Sequence, residues 1–401
     1  MRKFKVLLAI ILTGVIFTSC QKDGAKLFDV SVKISYPAGY TATDLSNIKV
    51  TLMNNITSRE DSARTDASGV AHLLLELGTY TVSASIQTVE FAFNGNSENL
   101  SINATNLSLE VSLVAVALKG GLVFKEIYYS GSRTPALAGY YSDQFHEIYN
   151  NSDQIIYLDG LCIGTLEPLG TTASVWIKTD GSPRDSLPIT FHTWIWPGTG
   201  TTYPLAPRTS IVLAQDGINH TSDPAGNPSS PVNLAGAQWE TYVSTSGKDT
   251  DSPGVPNLIC IYTTTTAMFD WLSGVGGAGI VLFRLPTGID YQTFVNNPAN
   301  FKKKPGSAAA TQYLMVDKSW VIDGVEEVGA DPAKQFKRLP TTIDAGKVSC
   351  SSSYNSKSIR RKVDKIINGK VVYKDTNNST DDFLGDLTPT PFVNPTRVDK
   401  K

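Results

Sequence analysis

The stretch DTNNSTDD sets four oxygen-bearing side chains, Asp375, Asn377, Ser379 and Asp382, at near-alternate positions. A calcium loop uses that kind of spacing to turn successive ligands toward one ion. Thr380 stands where an EF-hand loop needs glycine, so the same residues also read as turn formers. Calcium at this place is the one cofactor the sequence offers. Trp194 and Trp196 in HTWIWPG lie two apart, so an extended strand projects both from one face. With Trp239 and Trp271 they make a candidate binding face for a glycan or a peptide, set against the commoner use of tryptophan as core filling.

Catalytic constellations do not assemble. The four histidines, His72, His146, His192 and His220, are scattered, and none pairs with another at metal-ligand spacing. No serine sits in a GxSxG elbow, and SGVGGAGI (273–280) lacks the lysine of a phosphate loop. No residue is assigned a catalytic role, and the expectation is a protein that is not an enzyme. A metal-assisted hydrolase, its ligands gathered from distant loops, is the alternative from that class.

One cysteine has chemistry of its own. MRKFKVLLAIILTGVIFTSC begins with Arg2, Lys3 and Lys5, continues in an apolar run and ends in small residues before Cys20. The pattern is a secretory signal too short to span a bilayer. Its end resembles a lipobox, which implies removal of residues 1–19 and acylation of Cys20. Acyl chains stabilise membrane attachment by about 0.8 kcal/mol per buried methylene, so nothing downstream has to insert. Residues 20–26 form a polar tether. Asp23 within it resembles the export signal of Bacteroidota surface lipoproteins, which implies an outer-membrane location facing the cell exterior.

With 35 basic and 37 acidic side chains, no broad field attracts nucleic acid, which is excluded as a partner class. Cys162, Cys260 and Cys350 are too widely spaced for a metal knuckle. They read as buried small residues, with one bridged pair left open.

These residues must be positioned by strands. Val30, Val32 and Ile34, then Ile48, Val50 and Leu52, alternate with polar neighbours, as antiparallel strands with one wet face do. TDASGVAHLLLELGTYTVSAS places glycines at Gly69 and Gly78 for tight turns of positive φ. DQFHEIYNNSDQIIYLDG (143–160) reads as a hairpin turning at Asn150–Asp153, with Glu147 and Asn150 bracing the turn and Asp159-Gly160 as a second turn signal. Asn368-Gly369 predicts a late hairpin.

Residues 27–117 resemble the carboxypeptidase regulatory-like, or prealbumin-like, sandwich. From residue 120, KEIYYSG, EIYNNSDQIIYLDG, YPLAPRTSIVLAQDG, GIVLFRLP and DTNNSTDDFLGDLTPTPFVNP occur in the order that resembles a lamin-tail domain. Long insertions after Leu161 and after His220 enlarge it, and such loops are where binding usually resides. The fold class expected is all-β: two immunoglobulin-like sandwiches, over 27–117 and 120–401, the second lamin-tail-like, with its insertions facing outward. The combination resembles the uncharacterised domain-of-unknown-function 4876 family of Bacteroidota outer-membrane lipoproteins. That resemblance implies a non-catalytic binding or scaffolding accessory to a TonB-dependent receptor. A free-standing glycan- or ligand-binding surface protein is the second possibility.

Overall fold

The computed structural model describes residues 26–37, 44–87, 91–117, 121–245, 249, 251–264, 272–286 and 288–400. Cys20 and Trp271 lie outside the described residues, as does the signal segment.

Eight strands build the first unit: β1 (Leu27–Ser35), β2 (Lys49–Asn54), β3 (Glu60–Arg64), β4 (Val70–Glu76), β5 (Gly78–Gln87), β6 (Phe91–Ile102), β7 (Leu107–Ser112) and β8 (Val114–Ala117). They form two sheets, β4-β1-β7 and β3-β2-β5-β6-β8. The expected alternation is the reason they face each other. Val30, Val32, Val50, Leu52, Leu73, Val82 and Phe93 meet in one core, while Asp29, Lys33 and Lys49 point to water. Asp66 closes the β3–β4 turn by accepting from the Ser68 and Val70 amides, and Gly69 takes φ +79°. Gly78 does not: it is kept by space, because a Cβ there would meet the Asn54 side-chain nitrogen at 2.7 Å.

The second unit is a larger sandwich. One six-stranded sheet runs, in spatial order, Trp239–Glu240, Ser210–Ala214, Phe145–Asn150, Leu122–Tyr128, Ser358–Arg361, Phe383–Leu387. Opposite it, an eight-stranded sheet is centred on Ser186–Ile195, Leu161–Leu166, Gly279–Arg284 and Val321–Val328. Phe124, Ile148, Ile163, Trp194, Ile280 and Leu282 fill the space between. The outer faces are covered too. Helix Tyr291–Asn296 brings Phe294 against Val281 and Phe283, and the hairpin Val363–Ile367 with Lys370–Tyr373 packs Val371 and Tyr373 on Val123 and Tyr149. Its turn has Asn368 at φ +50° and Gly369 at φ +75°, the geometry expected of Asn-Gly. Sheets covered on both sides bury every residue of a strand, and Leu122–Tyr128 and Phe145–Asn150 are buried throughout.

Two expectations are corrected. Residues 143–160 are not a hairpin: Phe145–Asn150 pairs with Leu122–Tyr128 and Ser210–Ala214, whereas Leu161–Leu166 joins the opposite sheet. The segment between them is a corner that carries the chain from one layer to the other. Asn150 holds that corner, donating to the Gln154 and Leu205 carbonyls and accepting from the Ser152 amide. Nor do the insertions simply face outward. Residues 161–203 supply two central strands of the eight-stranded sheet, and the second insertion adds Trp239–Glu240 and Ile259–Thr263.

Candidate functional site

The aromatic face is core. Trp194, Trp196 and Trp239 are 1%, 1% and 4% exposed. Trp196 and Tyr203 both meet Trp239 edge-on, with ring centroids 6.4 and 4.8 Å away. Trp194 stacks on His192 at 5.2 Å. The strand did place both tryptophans on one face, but that face looks inward, so the binding role expected of these three residues is corrected to packing.

The calcium candidate is corrected in the same way, by a cation that belongs to the chain. Arg361, buried beneath the segment, donates to Asp323 at 2.7 Å, to Asp375 at 3.1 Å and to Asp382 at 3.5 Å, with its guanidinium 4.7 Å from the Phe383 ring. Asp382 also accepts from the Thr376 amide and hydroxyl. Ser379 turns away to Asp344, and Asn377 takes φ +55° as a turn residue. The four side chains therefore do not converge on one point. Among the described residues, no group of three or more His, Cys, Asp or Glu side chains is placed to hold a metal ion.

Other candidates are structural as well. His146 is fully enclosed, with neither ring nitrogen bonded, and burial holds its pKa down at about 3, so it stays neutral. His220 is bonded to the Tyr140 hydroxyl at 2.8 Å. Cys162, Cys260 and Cys350 are free thiols. Glu147 does not brace a turn. It faces Lys125, the extra residue where the register of Leu122–Tyr128 slips by one, and also accepts from Ser210.

Besides a shallow cleft of about 520 Å³ beside Tyr262, Val295 and Phe301 in the second sandwich, open places lie where the two sandwiches touch. Ser85 on β5 donates to Asp381, Asn94 on β6 donates to the Thr376 carbonyl, and Asn96 donates to the Ala345 carbonyl at 3.0 Å. Two clefts flank these bonds. One, of about 290 Å³, lies between Glu60, Asn96 and Glu98 on one side and Lys337, Lys347 and Thr380 on the other. The second, of about 660 Å³, is bounded by Lys49 and Arg64 from the first sandwich and Lys362, Lys374, Asp381 and Asp399 from the second. Apart from Thr380 and Asp381 in DTNNSTDD, these residues belong to no motif in the sequence. The signal available was the basic run Arg360-Arg361-Lys362, of which only Arg361 turns inward.

Residues 206–390 match the profile of a family described as protein of unknown function (DUF4876). The expected resemblance to DUF4876 holds. A crystal structure of a DUF4876 family protein from Bacteroides thetaiotaomicron is 27% identical, with a TM-score of 0.62, over 93% of this chain and 98% of that one. The likeness to that DUF4876 protein thus extends beyond the matched segment to both sandwiches. A candidate adhesin from Bacteroides ovatus (13% identity, TM-score 0.20, 39% of this chain and 59% of that one) and a streptococcal ancillary pilin (11%, 0.18, 48% and 60%) overlap only loosely. No curated protein matches the chain.

Proposed function

We propose that this chain is a non-catalytic surface lipoprotein, anchored in the outer membrane through Cys20 and facing the exterior, that binds or scaffolds beside a TonB-dependent uptake receptor. The observation that carries the binding part is the seam. Side-chain bonds from Ser85, Asn94 and Asn96 hold one sandwich on the other and leave a cleft of about 660 Å³ walled by both. Pre-formed clefts of roughly 300–1,000 Å³ at domain boundaries are where small ligands bind. The absence of an enzymatic role is supported by the way the buried carboxylates near Arg361, Lys125 and Arg338 are engaged in ion pairs and amide bonds. The receptor partnership rests on the lipobox and the family resemblance. Among the described residues no helix is long and apolar enough to cross a membrane; the anchor in this reading is an acylated Cys20, for which the lipobox resemblance is the support.

The test is purification of the tagged lipoprotein from gently solubilised outer membranes, with mass spectrometry of stoichiometric companions. A TonB-dependent receptor in the eluate supports the accessory role. A protein that comes off alone favours the second reading, a free-standing ligand-binding protein, for which the same cleft is the reason. Cys20→Ala should abolish acyl labelling and membrane retention, and retention by that variant would overturn the anchor.

A further inference from the structure

The larger cleft has an unbalanced charge pattern. Lys49 on β2 and Arg64 on β3 line it from one side, and Lys362, Lys374 and Lys400 from the other. Five cations thus face three acids, Asp364, Asp381 and Asp399; Asp364 stands 4.0 Å from Lys365, and the other two are engaged. Asp399 accepts two bonds from Arg360 at 3.0 Å and a third from the Val363 amide, and Asp381 accepts from Ser85 and Asn378. Lys374 donates to the Asp381 carbonyl and stands 4.0 Å from Asp382. Lys49 and Lys362 have no salt-bridge partner among the described residues.

Two ammonium groups without an ion-pair partner among the described residues repel each other at one cleft, and Asp381 and Asp382 offset this for Lys362 only in part. Burial of Lys362 pushes its pKa down, and neighbouring Lys374 and Lys49 push the same way, against attraction from Asp381 and Asp382. The remaining lining suits a hydroxyl-bearing molecule: Asn47, Ser62, Ser85 and Thr376 offer hydrogen bonds, and Ala63 and Ile86 offer small apolar contacts. At about 660 Å³ the space far exceeds a bare phosphate or sulfate ion and falls within the range for small organic ligands.

We propose that this cleft binds a small hydroxylated organic anion of sugar size, a carboxylate or a phosphate or sulfate ester, with Lys49 and Lys362 closing on its charge from the two sandwiches. The inference rests on the reading of the seam as the binding place and adds the chemical class of ligand. Because the cations come from separate modules, the ligand bridges the seam.

The experiment is isothermal titration of the detergent-solubilised full lipoprotein with galacturonate, glucose 6-phosphate and glucose 6-sulfate, with glucose as the uncharged control. At least one anionic sugar should bind and glucose should not, with affinity falling as salt rises. Lys362→Gln and Lys49→Gln should each weaken binding about tenfold, the size expected for losing one partly desolvated charged contact. Lys302→Gln, on the distant strand Phe301–Lys303, should bind as the parent does. Should Lys362→Gln fail to fold, Lys49→Gln decides, because Lys49 is exposed and its substitution leaves the core intact. The proposal is overturned if no anionic sugar binds, if glucose binds equally well, or if Lys49→Gln retains full affinity. A receptor co-purifying with a protein that ignores all three anions would leave the accessory role standing and remove this one. Anion binding by a protein that purifies alone would do the reverse.

Discussion

Lys125 Nζ lies 2.7 Å from Glu147 Oε1, and neither side chain has any exposure. The lysine also donates to Asn394 at 3.0 Å, while its neighbour Glu126 accepts from Ser358 and from the Thr390 amide and hydroxyl. Residues from KEIYYSG, EIYNN and TPTPFVNP thus converge on one buried polar knot.

Breaking the knot on one side leaves a charge stranded. Lys125→Ala should destabilise the chain by about 3–5 kcal/mol, while Lys125→Met with Glu147→Leu should recover most of that loss. Urea unfolding of the three proteins checks it; equal loss in the single and double variants would show that packing, not charge, sets the cost.

Glu327 should give a pH signature. Burial pushes its carboxyl up to about 8, opposed by the Ser273 hydroxyl and Arg338 and reinforced by Glu326. An unfolded glutamate titrates near ~4.3, so the folded state holds this proton more tightly. The resulting stability is complete below that unfolded value and lost as pH rises through about 8. Glu327→Gln should flatten the fall in urea midpoint across this window, and a slope parallel to the parent would assign the fall to another acid.

Buried tryptophans should behave as core. Trp196→Ala should cost about 3–5 kcal/mol, and emission from the parent should be blue-shifted and resist iodide. Strong quenching that eases on adding a sugar would contradict the burial of Trp194, Trp196 and Trp239.

Arg361 stands between Asp375 and Asp382, where a bound cation would lie. Millimolar calcium should leave the thermal midpoint unchanged, whereas Arg361→Met, which strands Asp323 and Asp382, should lower it sharply. A rise in midpoint with calcium in the parent would restore the metal reading.

The seam can be loosened without touching either core. Asn94→Ala with Asn96→Ala should remove about 0.5–1.5 kcal/mol per bond, raise the radius of gyration in X-ray scattering and speed hydrogen exchange near Ala345 and Thr376. Unchanged exchange there would place the holding force elsewhere.

The first sandwich was legible because strands such as β1 and β4 keep one wet face, so Val30, Val32 and Ile34 stand out from Asp29, Ser31 and Lys33. In the second, both faces of each sheet are covered and that contrast vanishes. His146, Glu147 and Lys125 look like surface residues in sequence and are buried. The turn chemistry survived better: Asn150 and Asn368-Gly369 bend the chain as their types require. What the bend at Asn150 leads to, a change of layer instead of a paired return, depends on strands far along the chain. Of the four DTNNSTDD oxygen ligands only Asp375 and Asp382 face a common cation, and that cation is Arg361, outside any local window. The cleft lysines had no local signature, since Lys49 and Lys362 become neighbours only when two modules dock.

The polar knot also sets an order of events. Glu126 and Lys125 wait for Thr390 and Asn394, which follow them by 264 and 269 residues, whereas β1 finds β4 and β7 within the first unit. As the polypeptide is made, the leading sandwich can close on its own while the strand Leu122–Tyr128 carries charged groups whose partners do not yet exist. The trailing sandwich is therefore completed last, and until then its unfinished sheets expose apolar surface and unpaired edges at which misassembly begins.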